Sequence, residues 1–136
     1  MADRIIKGHV GIGPKVTGEA LVASDNFSAR YDLNRVEGVF SRSTHKLVGQ
    51  NYVGKVLVLN AAKGGVATAW MLREMAAREM IPIALLLNFA NPIMAQGAEF
   101  GDVPLIDRFD VDITEAIRTG EKVTVDPGSG TVTVHG

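Results

Sequence analysis

Lys63-Gly64-Gly65 stands between an apolar run, Val56-Leu57-Val58-Leu59, and a stretch rich in Ala, Met, Leu, Arg and Glu. A turn from a strand into a helix start leaves backbone N–H groups free at the positive end of the helix dipole, and glycines let an anion approach them closely. The chemistry this suggests is capture of a carboxylate or phosphate by Lys63 and the N–H groups of Gly64 and Gly65. The spacing is not that of the GxxxxGK[ST] phosphate loop, and it is not a dinucleotide fingerprint. A turn that needs one positive-φ glycine beside a solvated lysine reads equally well from these residues alone.

His45 follows Ser41-Arg42-Ser43-Thr44. A histidine that titrates near neutrality can exchange a proton or bind an anion, or it can be a loop residue tied to the backbone. Arg42 and Arg35 lie in the same segment and could clamp an acidic substrate or pair across an interface, although most loop arginines are simply solvated. Arg42 is the stronger candidate because it is closer to His45. Asp32 and Glu37 read as surface charges. His9 and His135 have no neighbours spaced like a metal site.

The elements that must position these groups follow from the apolar pattern. Arg4 to Val10 and Val16 to Ala23 read as two strands joined by a tight connection at Gly11-Ile12-Gly13-Pro14. Ser24 to Gln50 shows no clear periodicity and is long for an idle loop, so it reads as a polar functional surface. Lys55 to Asn60 has the near-continuous apolar form of a strand covered on both faces. Val66 to about Glu79 is an amphipathic helix, Ile81-Pro82 stops it, and Ile83 to Phe89 is a second buried strand. Strand, helix, strand implies parallel pairing with a right-handed crossover. Ile93 to Gly97 reads as a short helix and Gly101 to Ile106 as a returning strand. Asp112 caps a helical turn ending near Gly120, and Asp126-Pro127-Gly128-Ser129-Gly130 joins the strands Lys122–Val125 and Thr131–Val134 into a hairpin. The fold class is α/β: one domain over residues 1–136, with a mixed sheet and a strand-turn-helix at Lys55–Glu79.

Composition narrows the functions. Fourteen basic against fifteen acidic residues, for a formal charge of −1, give no field to attract nucleic acid. No run approaches the roughly 18 apolar residues of a membrane helix, and the amino terminus lacks a signal-peptide pattern, so the expectation is a cytoplasmic protein without a membrane partner. The absence of cysteine removes a thiolate nucleophile and thiolate ligands for an iron–sulfur cluster.

A set of ordered segments carries a resemblance: Gly18-Glu19-Ala20-Leu21-Val22, Gly38-Val39, His45-Lys46-Leu47-Val48-Gly49, Gly54-Lys55-Val56-Leu57-Val58-Leu59 and Lys63-Gly64-Gly65. It continues through Pro82-Ile83-Ala84-Leu85 and Ile93-Met94-Ala95-Gln96-Gly97-Ala98 to Val103-Pro104. Together they resemble the aconitase X swivel-domain family over roughly Gly8 to Phe109. The resemblance implies a swivelling β/β/α domain acting as the small subunit of a hydro-lyase, with the active site in a cleft against an aconitase X large subunit. Relatives dehydrate small hydroxylated acids, among them cis-3-hydroxyproline and phosphomevalonate. The iron or iron–sulfur centre belongs to the large component, so this chain is expected to bind no cofactor itself and to close the cleft over the anionic end of the substrate. Isolated from that partner, exposed apolar surface would favour homo-oligomers.

The chain departs from the family at the turn. Relatives resemble Gly-Arg-Gly-Ser there, with the serine as the proton-transfer residue, whereas this chain has Ala62-Lys63-Gly64-Gly65. Lys63 replaces a planar bidentate donor by a point charge, and position 65 has no hydroxyl. Thr68 is the next hydroxyl, one helical turn on, and either serves the same pocket or bonds a backbone carbonyl. In the family His45 matches the histidine that precedes the leucine-glycine element. The site set is therefore His45 and Thr68 for proton chemistry, and Lys63, Gly64, Gly65 and Arg42 for substrate binding. The alternatives are a non-catalytic binding or regulatory swivel domain that lost its serine, and a free-standing structural homo-oligomer.

Overall fold

Alternate residues of the apolar strands face opposite ways, and this splits the core into two layers. The computed structural model describes residues 3–25, 33–34, 38–41, 45–61, 74–77, 79, 81–89 and 103–135. Among them, β1 (Arg4–Lys7), β2 (Val16–Val22), β5 (Val56–Ala61), β6 (Ala84–Phe89), β7 (Leu105–Asp107), β8 (Lys122–Asp126) and β9 (Thr131–Val134) form a seven-stranded sheet in the order β1-β9-β8-β2-β5-β6-β7. β3 (Leu33–Asn34) and β4 (Val39–Phe40) pair antiparallel as a separate ribbon inside the segment read from sequence as irregular. Two-residue strands are too short to impose a period, which is why the pattern hid them.

β2, β5, β6 and β7 are parallel, and their register lays Leu21, Leu57, Leu85 and Leu105 in one row. That row belongs to the first layer, which Phe40, Leu47, Tyr52 and Met75 complete. Met75 lies in the helical residues 74–77, the described part of the helix read at Val66–Glu79. The next row, Val22, Val58, Leu86 and Ile106, faces the second layer. There the antiparallel strands supply Ile6, Val123, Val125, Val132 and Val134, and the helical turn Ile113–Ala116 supplies Ile113. Both faces of β5 and β6 are covered, as their unbroken apolar runs require.

The hairpin from β8 to β9 forms as its turn sequence indicates, with Asp126 opposite Thr131. The first two strands do not pair with each other. β1 lies beside β9, and β2 lies between β8 and β5. Beyond β1 the chain crosses to the far edge: His9 N–H donates to Asp107 O (3.1 Å), Ile12 N–H to Leu105 O (3.0 Å) and Leu105 N–H to Ile12 O (2.9 Å). These bonds tie the segment that follows β1 to β7, the strand at the opposite edge of the sheet. The approach is so close that a Cβ on Gly11 would stand 1.9 Å from Leu105 O. Gly130, at φ +69°, lets the β8–β9 turn reach Gly8, whose N–H donates to Gly130 O at 2.8 Å.

Candidate functional site at the carboxyl edge of the parallel strands

Four parallel strands end on one side of the sheet, and in open α/β sheets ligands gather outside the carboxyl ends of the strands. Each strand here hands over to a polar residue as its apolar run stops: Asp25 after β2, Asn60 and Asn88 near the ends of β5 and β6, and Asp107 at the end of β7. Burial explains the change, because a side chain beyond the covered rows meets solvent and can be polar at no cost.

Asp25 is drawn to the end of β5 by its backbone: Asn60 N–H donates to Asp25 O at 2.7 Å. Its carboxylate Oδ2 accepts from Lys46 N–H (3.1 Å) and lies 3.8 Å from His45 Nε2. The His45 side chain is fully buried, whereas that of Asp25 is 21% exposed. His45 Nδ1 accepts from Leu47 N–H at 3.0 Å, which leaves the ring proton on Nε2, facing Asp25. The imidazole stacks on Phe40, with centroids 4.6 Å apart and planes at 24°, and Phe40 meets Tyr52 edge-on at 6.0 Å. Two aromatic rings and a backbone bond thus fix the ring orientation.

A second polar group closes the same edge. Asn88 Oδ1 accepts from Ile113 N–H (2.9 Å), so its amide nitrogen must face the acceptors Asn60 Oδ1 (3.1 Å) and Asp112 Oδ1 (2.9 Å). Asp112 caps the helical turn as its sequence position indicates, its Oδ1 accepting from Thr114 N–H (3.0 Å) and Thr114 Oγ1 (2.7 Å). The turn itself stops at Ala116, short of Gly120. The hydrogen bond from Asn88, then that from the Thr114 hydroxyl, hold the Asp112 carboxyl below its ordinary value, against a smaller upward push from burial. Arg108 follows at φ 54°, with its guanidinium carbon 4.8 Å from the centre of the Phe89 ring.

Of the residues singled out from sequence, His45 lies in this arrangement. Lys63, Gly64, Gly65, Thr68, Arg42 and Arg35 lie outside the described residues, as does the short helix read at 93–97. Asp25, Asn60, Asn88 and Asp112 form a set that the sequence reading did not assemble. One signal was present: Asn60 and Asn88 each follow four buried apolar residues at the same offset, which marks two adjacent strands ending together. Among the described residues no three His, Cys, Asp or Glu side chains come together as a metal site, and no helix is long and apolar enough to cross a membrane.

The comparisons with known proteins bear on the same architecture. A phosphomevalonate dehydratase small subunit from Methanocella arvoryzae is 32% identical over 127 residues, which are 93% of this chain and 96% of that one. The protein of the same name from Methanopyrus kandleri is 33% identical over 119 residues, 88% of each chain. The crystal structure of holo aconitase X from Thermococcus kodakaraensis superposes with a TM-score of 0.90 at 28% identity, over 98% of this chain and 99% of that one. The aconitase X swivel domain matches residues 5–134, nearly the whole closed sheet from β1 to β9. The mixed sheet, its strand order and this full-length match converge on one assignment: the chain belongs to the aconitase X swivel-domain family.

Proposed function

We propose that this chain is the small subunit of an aconitase X-type hydro-lyase, closing the active-site cleft of a large partner subunit and binding the anionic end of a small hydroxy acid. The observation that carries the reading is the near-complete match, at 32% identity, to a chain named as a dehydratase small subunit. The polar carboxyl edge supports it, since it brings a carboxylate, a histidine and two amides to the place where α/β sheets bind ligands.

In this reading Lys63 with the N–H groups of Gly64 and Gly65 holds the substrate's carboxylate or phosphate, and Arg42 adds a second cationic contact. His45 and Thr68 serve the proton chemistry. Iron or an iron–sulfur centre sits in the large subunit, which fits a chain with no cysteine. Phosphomevalonate is the first substrate to test, because the relatives named above are called phosphomevalonate dehydratases. cis-3-Hydroxyproline is the second.

Co-expression with the aconitase X large subunit from the same genome is the direct test. A stable iron-containing complex that dehydrates either acid supports the proposal. Failure to form a complex, or a complex inert toward both acids, rejects it. A second reading, a swivel domain that binds without catalysing, rests on Gly65, where the family resemblance implies a serine. Gly65→Ser in the complex separates the two: a large gain in turnover over an inert parent favours the second reading.

A further inference from the structure

We infer that Thr17 is a nucleophilic hydroxyl, activated through Thr124 by His135 and Asp3, and that it takes an acyl group from an acyl phosphate. The site lies on the antiparallel half of the sheet, at the amino end of β2, and is independent of the hydro-lyase reading. Val123, Val125, Val132 and Val134 point into the second layer, so Thr124 and Thr133 between them point outward. The register sets Thr17 opposite Thr124, and Thr124 opposite Thr133. Asp3 precedes β1 and His135 follows β9, so one chain of hydrogen bonds runs across four neighbouring strands. Asp3 Oδ2 lies 3.3 Å from His135 Nδ1, His135 Nε2 lies 2.7 Å from Thr124 Oγ1, and Thr124 Oγ1 lies 2.8 Å from Thr17 Oγ1. A carboxylate only accepts, so the neutral ring carries its proton on Nδ1, and Nε2 accepts from the Thr124 hydroxyl. Thr124 Oγ1 in turn accepts from the exposed Thr17. The protons are thus directed from Thr17 toward the imidazole, the order of nucleophile, base and orienting carboxylate extended by one hydroxyl.

The charge beside the chain sets the donor class. Lys122 is exposed, lies two residues before Thr124 on the same side of β8, and makes no ion pair among the described residues. Glu19, opposite it, is held by Lys55 at 3.1 Å. An ammonium is therefore on hand for the phosphate of an acyl phosphate. In the step, Thr17 Oγ1 bonds to the acyl carbon, and the bond from that carbon to the phosphate oxygen breaks. Inorganic phosphate leaves with the bonding pair. The Thr17 proton passes to Thr124 as the Thr124 proton passes to His135 Nε2, and the imidazolium, held by the Asp3 carboxylate, releases it to solvent. Thr17 is left as an ester.

The test incubates the full chain with acetyl phosphate and maps acetyl groups by peptide mass spectrometry. Neutral hydroxylamine then removes esters and leaves lysine amides, which separates the two products. Thr133 is the internal control, because it shares the row with Thr124 and its hydroxyl stands outside the chain. Thr17 should be acetylated on the order of 100-fold faster than Thr133. Thr124→Val keeps the β-branched shape and removes the relaying hydroxyl, and His135→Gln removes the base. Each variant, with its fold checked by thermal unfolding, should bring Thr17 down to the Thr133 rate. Equal labelling of the two threonines in the parent overturns the inference, and so does a Thr17 rate unchanged in either variant. Asp3 is the positioning residue, and nitrogen-15 spectra read its part directly. The parent ring should be protonated on Nδ1, and Asp3→Asn should shift the ring proton toward Nε2 and slow Thr17 labelling. A parent ring protonated on Nε2 reverses the chain of donors and overturns the inference whatever the labelling.

Discussion

Asn88 donates to Asp112 Oδ1 at 2.9 Å while its own Oδ1 accepts from Ile113 N–H at 2.9 Å, so one side chain fastens the end of β6 to the start of a helical turn. The bond to Ile113 satisfies a helix-start N–H that has no partner within the helix. Asn88→Ala should therefore cost about 1–3 kcal/mol, the penalty for stranding a partly buried donor. Urea unfolding measures it, and Asn88→Asp should be worse because it sets a second carboxylate beside Asp112.

The Asp112 carboxyl, held below its ordinary value chiefly by Asn88, ties stability to acid. With its folded value below the unfolded one, the carboxylate stabilises the native state above the unfolded value of about 3.9, and that contribution disappears as pH falls through the folded value. The stability difference between the parent and Asp112→Asn should be constant from neutrality to about pH 5 and shrink below about pH 4. Urea midpoints across that range check it; a difference independent of pH would refute the coupling.

Edge closure depends on the absence of a side chain at position 11. A methyl group there would meet Leu105 O at 1.9 Å, and neither partner is a flexible side chain that could turn away. Gly11→Ala should destabilise by about 1–3 kcal/mol or more. It should also speed amide exchange at Ile12 and Leu105, whose mutual bonds close the sheet.

Leu86 sits fully buried in the second layer, between Val58 and Ile106 in register. Leu86→Ala should cost about 2–5 kcal/mol, combining lost transfer energy with the cavity left behind. Lys55→Ala breaks a 3.1 Å pair with the exposed Glu19 and should cost less than about 1 kcal/mol. Thermal or urea unfolding of the two variants side by side gives the contrast.

The local pattern of this sequence determined a good deal. The unbroken apolar runs at 56–59 and 84–87 could only be strands covered on both sides, and the polar residue ending each run marked where the covering stops. The Pro-Gly-Ser-Gly turn specified the β8–β9 hairpin, and Asp112 specified a helix start. Zero cysteines and balanced charge narrowed the chemistry, and ordered spacing over most of the chain pointed to the family. These are short-range or compositional facts, written in neighbouring residues.

Tertiary structure alone decided the rest, because it concerns residues far apart in the chain. Nothing near Arg4–Lys7 says that its partner is Thr131–Val134, or that Ile12 will bond to Leu105 and join the edges of the sheet. Asn60, Asn88 and Asp112 read as separate punctuation until parallel pairing puts two strand ends side by side. His45 is the clearest case. From sequence it read either as a residue for proton exchange or anion binding or as a loop histidine tied to the backbone; packing against Phe40 buries it, and Leu47 N–H donates to its Nδ1. Its other nitrogen lies 3.8 Å from Asp25, twenty residues earlier, and Asp25 O in turn accepts from Asn60 N–H where the parallel pair β2 and β5 ends.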